Sequence, residues 1–296
     1  MKYIAVSLII PAFILLTEGC TDTVGQATQH ASPPADFNHY WYDGLAELNT
    51  YRVQQERYGE MRDAQQVLVT VTEDLSAAKQ VKLDNPEAAG ADRLPVLKVN
   101  TVRRFRTGIY DYAITQSVFL PVDGSPMAKL STTVQDWCGH VFTQLNRQGN
   151  GYRLREFSYF ETEGDTDRTL PDAIPEDAFW AMIRLDPQKL PQGKHLLIPG
   201  TLPARFRHRL LQAESAVLSR TAEATTSTYT IDYPSLKRNL RIYFETAFPH
   251  RITGWEEREG DRLMSKGELI RSIRSDYWAK HNNADLPLRD TLQWHF

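Results

Sequence analysis

From Leu45 onward the side-chain character of this chain recurs with a period of two residues. Val67, Val69 and Val71 alternate with Leu68, Thr70 and Thr72. Tyr110, Tyr112, Ile114, Gln116, Val118 and Leu120 alternate with Asp111, Ala113, Thr115, Ser117 and Phe119. Tyr229, Ile231 and Tyr233, and then Leu240, Ile242 and Phe244, repeat the pattern. Successive side chains of an extended strand point to opposite faces, so each run predicts a half-buried strand. The β-branched and aromatic residues that fill these runs suit a pleated surface. Asp123-Gly124, Gln148-Gly149-Asn150-Gly151 and Glu259-Gly260-Asp261 mark reversals between them. Roughly ten to twelve strands joined by short turns predict an antiparallel sheet. That many strands curl rather than stay flat. The expected fold is mainly β: a large curved antiparallel sheet or partial barrel with a few short helices, as a single β-rich domain over 36–296.

Helical signals are sparse. Asp36 suits the cap of a short turn running through Asp43. Pro175 stands where a helix prefers proline, Glu176-Asp177 suit a first turn, Phe179, Met182 and Ile183 recur at helical spacing, and Pro187 ends the run. This 175–186 helix is expected to cap the concave side of the sheet. Lys266 to Lys280, with Leu269, Ile270, Ile273 and Tyr277 on one face, predicts a last helix.

The N-terminus carries a different signal. Lys2 precedes Ile4–Leu16, an almost wholly apolar stretch too short to span a hydrocarbon core of about 30 Å but suited to a signal peptide over 1–19. Gly19-Cys20 follows at once. A small residue before a cysteine just after such a run resembles the lipobox of bacterial lipoproteins, in which the cysteine is acylated and becomes the new N-terminus. Glu18 departs from the small residue usual there. Cys20 is therefore the expected lipidation site, and several acyl chains would anchor the protein stably. Residues 20–35, small, polar and ending Pro33-Pro34-Ala35, predict a flexible tether with a reach of roughly 20 Å. Thr21 after the cysteine points, by resemblance to lipoprotein sorting rules, to the outer membrane facing the periplasm. With Cys20 lipidated, Cys138 has no disulfide partner in the chain.

Tyr40-Trp41-Tyr42-Asp43-Gly44, Tyr58-Gly59-Glu60, Gly108-Ile109-Tyr110, Trp137-Cys138-Gly139-His140, Ile198-Pro199-Gly200 and Phe248-Pro249-His250 before Gly254-Trp255-Glu256 together resemble a family of uncharacterised bacterial lipoproteins. Some members carry the label "septum formation inhibitor Maf". The resemblance runs from about Tyr40 to Glu257 and implies a location but no activity. The Maf label does not suit the sequence. Maf nucleotide pyrophosphatases are cytoplasmic and carry a Ser-x-Ser-x-Arg-Arg phosphate-binding segment, whereas no Ser-x-Ser precedes Arg103-Arg104.

Candidate chemistry falls in several places. Cys138 and His140, two apart in an extended segment, would share a face, as a thiolate nucleophile and its imidazole require; the plain alternative is a small buried thiol. Glu161, Glu163, Asp165 and Asp167 are hard oxygen donors dense enough for Ca²⁺, though in the wrong order for an EF-hand; a solvated turn is the alternative. Tyr40 and Trp41, with Tyr110 and Tyr112, are candidates to line a groove for an apolar ligand, against ordinary sheet packing. Arg103, Arg104 and Arg106, and Arg205, Arg207 and Arg209, form two basic alternations that would place like charges on a strand face. The tail Leu292, Trp294, Phe296 is expected to pack on the domain.

Charge excludes more than it suggests. Thirty-four basic against 37 acidic residues give −3, so no broad basic field exists to recruit nucleic acid. There is no His-Glu-x-x-His, Gly-x-Ser-x-Gly, P-loop or dinucleotide fingerprint, and no cofactor is expected. The reading is an envelope lipoprotein whose body is a non-enzymatic module binding an apolar or lipid-like ligand. The alternatives are a scaffold for an envelope protein partner and a Cys-His thiol enzyme.

Overall fold

The computed structural model describes Met1 and residues 35–296, so all of the signal peptide after Met1, Cys20 and nearly all of the tether lie outside the described residues. A short helix, α1 (Ala35–Trp41), leads into eight strands: β1 (Ala46–Arg57), β2 (Glu60–Ser76), β3 (Arg93–Thr107), β4 (Tyr110–Pro121), β5 (Lys129–Asp136), β6 (Gly139–Gln148), β7 (Gly151–Phe157) and β8 (Thr166–Leu170). After the two-residue β9 (Ile174–Pro175) come a 3-10 turn (Glu176–Ala178) and α2 (Phe179–Leu185). Then follow β10 (Gly193–Ile198), α3 (Thr201–Phe206), β11 (Glu214–Ala222), β12 (Thr226–Tyr233), β13 (Arg238–Glu245), β14 (Ile252–Glu259), β15 (Arg262–Ser275) and α4 (Leu288–Thr291).

All fifteen strands form one sheet, in the spatial order β8-β7-β6-β5-β4-β3-β2-β1-β15-β14-β13-β12-β11-β10-β9. Every pairing is antiparallel except β9 with β10. The edges β8 and β9 are consecutive in the chain, joined by Pro171, Asp172 and Ala173 alone. Four residue steps reach at most about 14 Å. The sheet must therefore curl until its edges face each other across an unpaired seam, and the fold is mainly β, curved and unclosed. Arg168 of β8 donates to the carbonyl of Leu211 across that seam. The register places the hairpins Tyr58-Gly59, Gly108-Ile109 and Trp137-Cys138, the turn at Gly260 and α3 at one end of the barrel. The starts of β1 and β10 lie at the other, with α1.

The predicted 175–186 helix is present and fills the lumen. Phe179, Ala181 and Ile183 are fully buried against inward-facing residues such as Leu97, Ile114 and Tyr229. The helix expected over 266–280 is instead β15, followed by a single 3-10 turn, Tyr277–Ala279. The reason is a β-bulge. Thr50 faces Arg271 but Tyr51 faces Leu269, so Ile270 is an extra residue. Apolar residues at 269, 270 and 273 then imitate helical spacing within a paired strand. The tail runs back over the outside of the sheet, where Leu292 and Trp294 cover Ala46, Leu48, Val67, Val69 and Val71. That cover buries the starts of β1 and the middle of β2 on both faces. Among the described residues no helix is long and apolar enough to cross a membrane.

Candidate functional site

Two buried ion pairs pin the lumen helix to the wall, with opposite polarity. Arg184 of α2 donates from both terminal nitrogens to Glu47 of β1, at 2.6 and 2.8 Å. Tyr40 and Asn49 also donate to Glu47, and the Arg184 guanidinium lies 5.0 Å from the Trp41 ring centroid. Burial works against the Glu47 charge, but Arg184 beside it and these hydrogen bonds hold its pKa down to about 2. At the other end Glu176 accepts two bonds from Arg238 of β13, at 2.5 and 2.7 Å, and Glu257 takes the third, from Nε, at 2.8 Å. Arg103 lies next to this cluster, 7 % exposed, donating to Gln66 and Gln55.

Asp177 follows Glu176 in the same buried turn. It accepts from the backbone nitrogen and hydroxyl of Thr201, at 2.9 and 3.0 Å. Burial, reinforced by the Glu176 charge, pushes its pKa up to about 6. The folded state therefore holds this proton more tightly than the unfolded chain. The resulting stability is fully present below the ordinary aspartate range and is lost as pH rises through about 6. Asp177→Asn is accordingly expected to match the wild type in urea unfolding at pH 4 and to be more stable than it at pH 8. An equal difference at both pH values would sink the assignment.

Between α2, the Val122–Met127 connection, β9 and β10 the lumen opens into a cavity of about 400 Å³. It lies at the α1 end of the seam. Its walls are Leu120, Met127, Tyr152, Ile174, Met182 and Leu185, with Val122, Ala173, Ala178 and Leu196 completing them. Prolines explain why the wall is incomplete here. Pro121 and Pro126 bracket the β4–β5 connection, and Pro171 and Pro175 bracket the step between the two sheet edges. A proline gives no N–H to a ladder. The charges at the mouth have protein partners: Asp172 binds Arg147 at 2.7 Å, Asp186 binds Lys189 at 3.3 Å and caps the nitrogen of Gln188, and His195 Nε2 lies 3.0 Å from the carbonyl of Gln192. The site thus offers an apolar chamber with a polar lip whose charges are already neutralised.

The residues singled out from the sequence lie elsewhere. Trp41 and Tyr112 are buried core side chains; Tyr112 stacks on Phe105 at 4.7 Å and bonds Tyr58 and Arg57. Tyr40 is tied to Glu47, and Tyr110 packs beside Tyr112 and Trp137. None of the four lines the large cavity; of the described tyrosines only Tyr152 does. Cys138 is not in a strand beside His140. It is exposed in the tight β5–β6 turn, where Asp136 accepts from its backbone nitrogen at 2.7 Å. The acidic loop is dispersed: Asp167 binds Arg153, Asp165 accepts from Ser158, Glu163 binds Arg205 and His208, and Glu161 is exposed. Among the described residues no three histidine, cysteine or acidic side chains converge as a metal site. Arg205 belongs to α3, with Arg207 and Arg209 just after it, because Gly200 and Pro203 start a helical turn where a strand was expected. Both of the latter bind Glu259. Arg103 has the opposite parity to Arg104 and Arg106 and so points inward, a correction to the basic strand face. The cavity could have been sought in the sequence only through its four bracketing prolines.

Fold and site together define a barrel-like β protein with a helix-filled lumen and an apolar chamber at its seam. No family model matches the chain, and no curated protein matches it. It is similar to the crystal structure of a β-barrel-like protein of a domain of unknown function, DUF1849, from Brucella abortus, at 10% identity and a TM-score of 0.47, covering 78% of this chain and 98% of that one.

Proposed function

We propose that this chain is a lipoprotein of the bacterial cell envelope, held to a membrane through Cys20, whose domain binds one small apolar or lipid-like molecule. The observation that carries the ligand reading is the cavity of about 400 Å³ with its apolar walls and self-neutralised lip. Pockets of this size and lining are the usual setting for a small-molecule ligand. Charged ligands would find Asp172, Asp186 and Lys189 at the lip already paired within the protein. The membrane reading rests on the apolar run ending at Gly19-Cys20 and on the resemblance to bacterial lipoproteins. The two fit together: α1, the first described helix, sits at the same end of the barrel as the cavity, so a flexible tether through Cys20 keeps that end within reach of the membrane.

The test combines fractionation with a binding probe. Wild type is expected in the membrane fraction and Cys20→Ser in the soluble envelope fraction. Soluble Cys20→Ser should bind the apolar fluorophore 1-N-phenylnaphthylamine saturably. Met182→Trp in that background should abolish binding by filling the chamber while leaving the thermal midpoint within a few degrees, since Met182 is only half-buried. Unchanged binding in the Met182→Trp protein would place the ligand elsewhere.

A further inference from the structure

The opposite end of the seam holds a second cavity of a different character. It measures about 210 Å³ and opens between β6–β8 and the segment from α3 to Leu211. Its lining mixes apolar side chains such as Val141, Leu210 and Leu211 with hydrogen-bonding ones: the threonine and serine hydroxyls of β6–β8, Glu156, Glu163, Arg205, His208 and Arg209. The ionic groups are interlocked rather than free. Glu163 accepts from Ser158 at 2.5 Å and from Arg205 at 3.0 Å, and lies 2.6 Å from His208 Nδ1. Glu156, half-buried, meets Thr166 at 3.4 Å and Arg168 at 4.0 Å.

Aromatic rings stand at the rim, and they are held there. Tyr159 directly follows the cavity-lining Ser158. Its ring lies over Gly139, close enough that a Cβ there would sit 3.1 Å from it. Phe160 packs 4.3 Å from Tyr159 and 4.9 Å from His208, with the Arg205 guanidinium 4.4 Å from its centroid. Trp137, at the neighbouring hairpin tip, packs 6.5 Å from Tyr110. Yet Trp137 is 70 % and Tyr159 54 % exposed. Tyr159, packed on Gly139 and Phe160 yet facing water, and the exposed Trp137 at the neighbouring hairpin tip are large rings of the kind that mark an interaction surface.

We propose that this end of the barrel binds an oligosaccharide, with one sugar unit in the cavity and its neighbours stacked on Tyr159 and Trp137. A sugar hydroxyl both donates and accepts, as a lining of threonines, a serine, carboxylates and cations requires. The apolar C–H face of a pyranose matches an exposed aromatic ring. The arginines of the lining are already paired, Arg205 with Glu163 and Arg209 with Glu259, which argues against a phosphate of a nucleic acid or a phospholipid headgroup. The hydroxyl-rich walls do not suit the apolar ligand assigned to the other chamber. Burial raises the pKa of Glu156, while Glu163 is held below the usual carboxylate range by its hydrogen bonds from Ser158 and His208 and by Arg205.

The experiment uses the full-length chain in a detergent without sugar groups. It is titrated with chitotetraose, cellotetraose and maltotetraose, followed by tryptophan fluorescence and calorimetry. At least one oligosaccharide should bind saturably. Trp137→Ala and Tyr159→Ala should each weaken that binding by about tenfold or more. Trp137→Phe should retain most of it, and Met182→Trp, in the other chamber, should leave it unchanged. Both rim side chains are exposed, so neither variant is expected to unfold, and the circular-dichroism thermal midpoint reports the fold independently. No saturation by any of the three up to about 10 mM, or binding that survives both alanine variants, would overturn the proposal.

Discussion

Replacing Arg184 with methionine is expected to cost about 3–5 kcal/mol of folding stability, because it leaves the Glu47 charge buried without its counter-ion. Both partners are almost completely shielded, with side-chain exposures of 2% and 0%. Water cannot replace the guanidinium. Methionine fills much of the same space, so the loss reports charge rather than a void. For a β domain of this size the thermal midpoint should fall by roughly 10 °C. The double variant Glu47→Gln/Arg184→Met should recover most of the loss, since it removes the buried charge while the one carbonyl oxygen of glutamine keeps a bond from Tyr40 or Asn49. The pair also shapes acid unfolding. With the folded pKa of Glu47 held at about 2, its stabilising contribution is present above the ordinary glutamate range and is lost as pH falls through about 2. Arg184→Met should remove that acid dependence. The measurement is circular-dichroism melting of the three proteins between pH 3 and pH 7. A single variant within 1 kcal/mol of wild type would show that the pair is solvated in solution.

Period-two patterning carried the architecture because it reports which residues share a face. It says nothing about what covers that face. Tyr112 and Tyr229 do point inward, as their alternation requires, but α2 and α3 fill the space in front of them: Phe179 lies 5.0 Å from Tyr229 and Phe206 6.1 Å from Tyr112. A groove expected from alternation alone became packed core. The opposite error occurred at Arg103, where a basic run suggested a solvated face and parity alone sends the side chain into the lumen. The pairs that hold the lumen helix were out of reach for another reason. Glu47 and Arg184 are 137 residues apart and Glu176 and Arg238 are 62 apart, and each becomes a pair only when the sheet curls. The apolar chamber exists where strand pairing fails. Its wall residues belong to several elements that share no pattern, and only the prolines at 121, 126, 171 and 175 mark the gap in the sequence.

Gly267→Ala is expected to destabilise the protein by about 2–3 kcal/mol, although alanine is the better residue on conformational grounds. Gly267 carries no unusual backbone angle; its role is steric. A Cβ at this position would lie 2.2 Å from Cη2 of Trp255, with two further ring atoms within 2.5 Å. The missing side chain lets Gly267, directly opposite Trp255 in the β14–β15 ladder, accept the indole flat against the strand. The ring has no free direction in which to retreat. Trp180 meets it edge-on at 5.4 Å, Tyr51 packs at 5.3 Å, the Arg103 guanidinium lies 5.5 Å from its centroid, and its nitrogen donates to Ser265 at 3.0 Å. Displacing the indole therefore disturbs the packing of α2 and the polar lumen at once. Shrinking the ring should relieve the clash, so Trp255→Phe/Gly267→Ala is expected to be more stable than the sum of the two single losses predicts, by about 1 kcal/mol or more in a double-mutant cycle. Urea unfolding of the four proteins supplies the cycle. Strictly additive losses would mean that the glycine is needed for something other than room for Trp255.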